Sequence, residues 1–253
     1  MRVRVIGAAS PMAGFSLSTF VIDDVLALDA GALGWFDTPE QQAKIRDILL
    51  THAHLDHIAG LASFIENVYG LAPDAPRVHA PEPVLRVLMD HIFNDKVLPD
   101  FVRLSELLTE PFLQLCPIVA EKPYALGRFR VAAFNLDHTV PTVGYAVNDD
   151  KDTIVLVTDT APVPATLSML AHIPQLRAVF LEASFPSELA QLAEVTKHHT
   201  ASQFLAAAKQ LPPTVQVFAV HVKPRYVEAI TAEIVAAGLA NVRVAVPGQV
   251  VEV

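Results

Sequence analysis

Three histidines and an aspartate fall within the run His52-Ala53-His54-Leu55-Asp56-His57, directly behind the apolar stretch Ile48-Leu49-Leu50. If residues 47–50 rise as a strand, its alternation carries on into the run and puts His52 and His54 on one face. Asp56 and His57 then come where the chain turns into a helix, so both can curl back toward the same point. Four metal-ligating side chains converge on a small volume, and neutral imidazoles with carboxylates suit zinc, iron or manganese. The alternative is a histidine-rich polar loop. The apolar strand immediately before the run argues against it.

The chain has 253 residues, of which 52% are hydrophobic, enough to build a sizeable core. The reading is a single domain over 1–253, made of two sheet-and-helix layers whose halves divide near residues 120–127. The net charge of −9 disfavours a general nucleic-acid surface, which is normally basic. It leaves an anionic substrate open, because metal cations can dominate the local field. Cys116 is the one cysteine, so no internal disulfide forms and a reducing compartment fits. The first residues read as a strand rather than a signal peptide. No run approaches the roughly 20 apolar residues that span a bilayer. A cytoplasmic protein without a membrane partner is expected.

Strands are expected at 3–6, 18–28, 47–50, 77–80, 129–135, 142–147, 153–157, 178–181, 215–220 and 242–246, the last being the final strand. Helices are expected at 39–48, from 56 or 57 to 66, and at 81–93, 100–108, 187–196, 201–211 and 224–237. His138, Asp159 and His221 each stand just past the end of a predicted strand, as does the His52 run. Ligand sites collect at that edge of layered α/β folds. A lone histidine there is more often structural, but three independent placements at the same edge favour metal ligation.

His52-Ala53-His54-Leu55-Asp56-His57, followed in order by His138, Asp159 and His221, resembles the metallo-β-lactamase superfamily. That resemblance implies an α/β fold of four layers, the αββα sandwich, with two divalent metal ions, zinc first and manganese or iron as alternatives. It implies that His52, His54 and His138 hold one metal, that Asp56, His57 and His221 hold the other, and that Asp159 bridges them. Two metals about 3.5–4 Å apart can share a water and lower its pKa to near 7. Asp56 could also orient that nucleophile.

Thr51 to Leu61, His91-Ile92-Phe93-Asn94 with Pro99-Asp100-Phe101, and Asp137 to Tyr145 are similar to stretches of class II cyclic-nucleotide phosphodiesterases. Lys197-His198-His199-Thr200-Ala201-Ser202-Gln203, Glu182-Ala183-Ser184-Phe185 and His221 to Tyr226 resemble motifs of tRNase Z. Both families cleave phosphodiesters. The leaving oxygen then needs a proton, and His198 backed by Glu182 suits that role. Lys223 and Arg225 are open to two readings, phosphate contacts or solvated charges. Thr142 and Tyr145 are expected to line the pocket. His79 and His172 are read as structural or surface residues.

The long arm with which tRNase Z grips tRNA has no counterpart rich in glycine and basic residues, and the acidic charge disfavours a large RNA partner. The expected activity is hydrolysis of a small cyclic nucleotide 3',5'-phosphodiester, cAMP first, with nucleic acid an unlikely partner and a homodimer possible by resemblance. The alternatives are a tRNase Z-like nuclease and a non-hydrolytic metal-binding member. The retained His54 favours hydrolysis, because di-iron redox members of the superfamily usually carry glutamate there. The roles of His91 and His199 stay open.

Overall fold

The computed structural model describes residues 1–7 and 17–253. The first sheet contains β1 (Arg2–Gly7), β2 (Thr19–Ile22), β3 (Leu26–Leu28), β4 (Asp47–Leu49), β5 (Arg77–Pro81) and β6 (Gln114–Ile118). The second contains β7 (Pro123–Leu126), β8 (Phe129–Leu136), β9 (Thr142–Asn148), β10 (Thr153–Val157), β11 (Leu176–Glu182), β12 (Gln216–Val220) and β13 (Val242–Val244). A last strand, β14 (Val250–Glu252), returns to the first sheet and pairs with β1. The chain was expected to end on the strand at 242–246. It goes on instead because the open edge of β1 still offers unpaired backbone groups.

The spatial orders are β14-β1-β2-β3-β4-β5-β6 and β13-β12-β11-β10-β9-β8-β7. Counted from β14 and from β7, each sheet shows three antiparallel pairings and then three parallel ones. The two halves therefore share one topology, and the expected division at 120–127 falls where β7 opens the second sheet.

Strand alternation builds three cores. Phe20, Ile22, Leu26, Leu28 and Leu49 face Tyr145, Ile154, Leu156, Phe180 and Phe218 between the sheets. The alternate residues Val21, Ala27, Ile48 and Leu50 meet the outer helices of the first half. Val155, Val157, Val179, Leu181, Val217 and Ala219 do the same in the second half. Strands apolar on both faces are what a sheet covered on both sides requires. The outcome is the expected αββα sandwich.

The outer layers hold α1 (Pro39–Gln42), α2 (Leu55–Ile58), α3 (Leu61–Val68), α4 (Glu82–Val87), α5 (Phe101–Leu107), α6 (Pro164–Leu170), α7 (Ala190–Thr196), α8 (Ala201–Ala208) and α9 (Val227–Ala236). The helix expected from residue 56 to 66 is two, α2 and α3. It breaks at Gly60, whose amide donates to the Ala30 carbonyl at 2.9 Å. A Cβ there would stand 2.8 Å from that oxygen, so glycine alone lets α2 lie against the loop after β3.

At the opposite end of the strands from the His52 run, Asp47 accepts from Arg77 Nε at 2.7 Å and Nη2 at 2.8 Å, and pairs with His79 Nε2 at 2.7 Å. His79 is thus structural, as expected. Burial favours the neutral Asp47 carboxyl, but His79 and Arg77 outweigh it and hold the pKa at about 2. A carboxylate whose pKa is depressed on folding stabilises above its unfolded value, near 4, and loses that contribution as pH falls toward the folded value. Asp47→Asn is expected to cost about 1 kcal/mol at pH 7, after allowance for the half-exposed Arg77. In urea unfolding the gap to the native protein should close between about pH 4 and pH 2. A gap independent of pH would remove this role.

Candidate metal centre

Every ligand-type residue singled out in the sequence comes to one place, the end of the sandwich beyond the C-terminal ends of β4, β10, β11 and β12. His52, His54, His138 and Asp159 have donor atoms within 4.8 Å of one another, as do Asp56, His57 and His221. In the first group His52 Nε2 lies 3.0 Å and His138 Nε2 3.3 Å from His54 Nδ1. In the second, His221 Nε2 lies 3.1 Å from Asp56 Oδ2. Asp159 stands between them, with Oδ2 3.6 Å from His52 Nε2 and 3.4 Å from His221 Nε2, and Oδ1 3.4 Å from His57 Nε2.

The histidines are oriented from behind. The Nδ1 of His57 donates to Asp29 Oδ2 at 2.7 Å, and that of His52 meets the Thr51 hydroxyl at 3.0 Å. His138 Nδ1 donates to the Lys197 carbonyl at 3.2 Å. His221 Nδ1 donates to the Ser184 hydroxyl at 3.0 Å, and that hydroxyl donates to Glu182 Oε2 at 2.7 Å. In all four rings Nδ1 is engaged by a partner outside the cluster and Nε2 faces into it. This is the arrangement that fixes the tautomer of metal-ligating histidines.

The backbone is bent to make this possible. Asp29, Asp159 and His221 all have left-handed φ, at 57°, 54° and 54°, each just after a strand. Such turns cost about 1–2 kcal/mol at a residue with a Cβ and cluster where a side chain must be aimed.

The residues fit a divalent metal pair. His57 Nε2 and Asp159 Oδ1 are buried with no hydrogen-bond partner, although buried polar atoms are normally satisfied. Burial favours a neutral Asp159, yet His221 and His57 outweigh it and hold its carboxyl well below the usual range. Burial likewise favours neutral Asp56, and His221 and His57 overcome it. Burial pushes His52 far below the ordinary histidine value. Burial works against a charged His57, but Asp29 and Asp159 outweigh it and raise its pKa well above the ordinary value. Ionised carboxylates facing imidazole nitrogens make a donor set that suits zinc, iron or manganese.

His198 and Glu182 adjoin the cluster. His198 Nδ1 lies 2.9 Å from Glu182 Oε2. Its ring centroid is 5.0 Å from that of His138 and 5.2 Å from that of His221. Burial works against a charged His198, but the hydrogen bond and charge of Glu182 raise its pKa above the ordinary value.

The expected substrate contacts separate. Lys223 Nζ lies 3.2 Å from His221 Nε2, at the cluster. Arg225 is exposed and stacks over Tyr226 at 5.6 Å. The pocket-lining place expected for Tyr145 is corrected by its burial, whereas Thr142 borders a hollow that contains none of the donor residues. Tyr145 is wholly buried and its hydroxyl donates to the Leu50 carbonyl at 2.7 Å. Thr142 is 4% exposed and its hydroxyl donates to the Val140 carbonyl. With the Val143 amide on the Thr51 carbonyl at 3.1 Å, β9 grips the segment that leads into His52. His91 and His172 are exposed. His199 is buried beside His198, and its Nδ1 has no partner.

Asp29, Thr51 and Ser184 have no role of their own in the sequence reading. Asp29 had a visible signal: it ends an apolar strand at the same edge as Asp159. Its carboxylate accepts from the Thr51 amide and hydroxyl, from Ser18 and from His57.

A family model described as a beta-lactamase superfamily domain matches residues 21–222. The chain belongs to the metallo-β-lactamase superfamily. A nuclear ribonuclease Z of Triticum aestivum is 33% identical over 115 residues, which are 44% of this chain and 60% of that protein. Among solved structures of the superfamily fold, unliganded yeast PDE1 is similar with a TM-score of 0.78 at 16% identity, covering 100% of this chain and 99% of that one. Human tRNase Z, short form, matches with a TM-score of 0.69 at 17% identity over 100% and 99%. At these identities the structural likeness is one of fold. With a ribonuclease Z among the sequence relatives, the expectation that nucleic acid is an unlikely partner is not supported. Among the described residues no helix is long and apolar enough to cross a membrane.

Asp29→Asn should keep the fold and lower metal affinity by about 10–100-fold, the usual cost of losing a partner that orients a ligand. Competition with a chelator, followed by elemental analysis, reads this directly. Affinity within twofold of the native protein would show that Asp29 only packs.

Proposed function

We propose that the protein is a dinuclear metal-dependent phosphodiesterase whose substrate is a 3',5'-cyclic nucleotide, with cAMP first. His52, His54 and His138 would hold one divalent ion, Asp56, His57 and His221 the other, and Asp159 both. Zinc is the first choice. When bound, such a pair supplies an activated water and neutralises charge on the phosphate.

The observation that carries this reading is the His198–Glu182 pair against the donor cluster. Glu182 accepts from Nδ1 of His198, so the protonated ring presents its Nε2–H toward the centre. Attack of water on phosphorus breaks the bond to the 3' oxygen, and that oxygen takes the proton from His198. Lys223 adds positive charge beside His221. Ser184 links the same Glu182 to His221, so one carboxylate positions both the acid and a ligand. The stretches around His52, His91 and His138 that are similar to class II cyclic-nucleotide phosphodiesterases favour the cyclic substrate. A second reading, cleavage at an RNA 3' end, is favoured by the ribonuclease Z relative and by the motif at 197–203.

His198→Ala is expected to lower kcat by about 10²–10⁴-fold with metal content unchanged. Unaltered turnover would end the acid role. In Glu182→Gln the charge that raises the His198 pKa is gone. The acid form then survives to a lower pH only, so the alkaline limb of the rate profile should move to lower pH. A limb that stays in place assigns it to another group.

The substrate is decided by a panel of cyclic nucleotides, bis(p-nitrophenyl) phosphate and a tRNA precursor, on zinc- or manganese-loaded protein. Turnover of cyclic nucleotides is expected. Cleavage of the RNA without them would select the second reading, and no turnover of any would reject the phosphodiesterase.

A further inference from the structure

A hollow of about 280 Å³ opens beside the donor cluster, lined by Ala53, His54, Pro83, Val84, Val87, Val140 and Pro141. Pro83, Val84 and Val87 belong to α4 of the first half. Val140 and Pro141 belong to the loop after β8, which carries His138. Ala53 and His54 form the wall shared with the centre. The hollow therefore exists only where the two halves meet, and it ends on a residue that also contributes a donor atom.

Apart from His54, every lining side chain is aliphatic or a proline ring. A phosphate or a sugar hydroxyl placed there would lose its hydration with nothing in return, whereas an apolar ring face would gain by leaving water. The volume is at the low end for small-molecule sites, which span about 300–1,000 Å³. It suits one ring system and not a folded polymer. The larger hollows beside α9, beside Tyr69 and Phe112, and beneath Thr142 include none of the donor residues.

We propose that this hollow is a nucleobase subsite, which takes the flat base of a nucleoside phosphate while the phosphate sits at the donor cluster. The assignment rests on the phosphodiesterase reading for the location of the phosphate. The walls touch the faces of the ring and offer its edge no side-chain donor or acceptor beyond His54. Base identity is then read weakly: adenine and guanine nucleotides bind within a few-fold of each other.

The test is a titration of valine-methyl-labelled, zinc-loaded protein with adenosine 5'-phosphate and, separately, with ribose 5-phosphate, followed by NMR. The adenosine compound should shift the methyl signals of Val84, Val87 and Val140, and the base-free compound should leave them in place. Val87 is 36% exposed, so Val87→Trp can fill the hollow without disturbing the core. It should weaken adenosine 5'-phosphate at least tenfold and leave ribose 5-phosphate unchanged. Val140→Trp, from the opposite wall, should do the same. Shifts elsewhere, no loss in either variant, or equal loss for both ligands would overturn the subsite. Hydrolysis of bis(p-nitrophenyl) phosphate by the native protein separates the two claims. Turnover without a response at the valines sinks the subsite alone. A response without turnover sinks the phosphodiesterase alone, and neither result sinks both.

Discussion

Imidazole lone pairs from both sheets point at one another. His52 Nε2 and His138 Nε2 converge on His54 Nδ1, and Asp159 faces His52, His57 and His221. Ring nitrogens brought this close repel unless a proton or a cation lies between them, so the end of the sandwich is suited to a cation. Asp29, Thr51, Lys197 and Ser184 engage the outward nitrogens and so aim the inward ones at the centre. What packing enforces there is a set of aimed donor atoms, and the αββα frame holds them in place.

The frame does this by using one topology twice. The fourth strand of each sheet, β3 counted from β14 and β10 counted from β7, opens the parallel series and is followed by an aspartate in left-handed conformation, Asp29 and Asp159. One faces the protein and orients a histidine. The other faces the centre and stands between the two donor groups. The same local solution therefore serves as support in one half and as part of the site in the other.

Much of this was legible in the sequence. The apolar runs that mark β4, β10 and β12 also mark where their donor residues emerge, because a strand covered on both faces must be apolar and its end is where polarity becomes possible. The His52 run, Asp159 and His221 were readable for that reason, and His138 by its place just past the end of β8. Asp29 obeyed the same rule, but a lone aspartate before a glycine also reads as an ordinary turn. Ser184 and the Lys197 carbonyl act through contacts between distant segments, which no spacing encodes. Tyr145 failed in the other direction. Its motif placed it near His138, but strand alternation turned it into the core, where it holds Leu50. The short β14 was missed because three residues carry too little periodicity to announce a strand.

That short strand changes how the molecule must assemble. The amino group of Met1 donates to the Val253 carbonyl at 2.8 Å, and β1 pairs with residues 250–252. All the donor residues precede residue 222, so during synthesis the full set of donor side chains leaves the ribosome before the first sheet can close. Contacts between segments this far apart slow folding, because loop entropy is lost before pairing compensates. At that stage the chain already carries every donor residue while the edge of β1 is still open, so closing the sheet is the last long-range step and the donor cluster is sequence-complete before it.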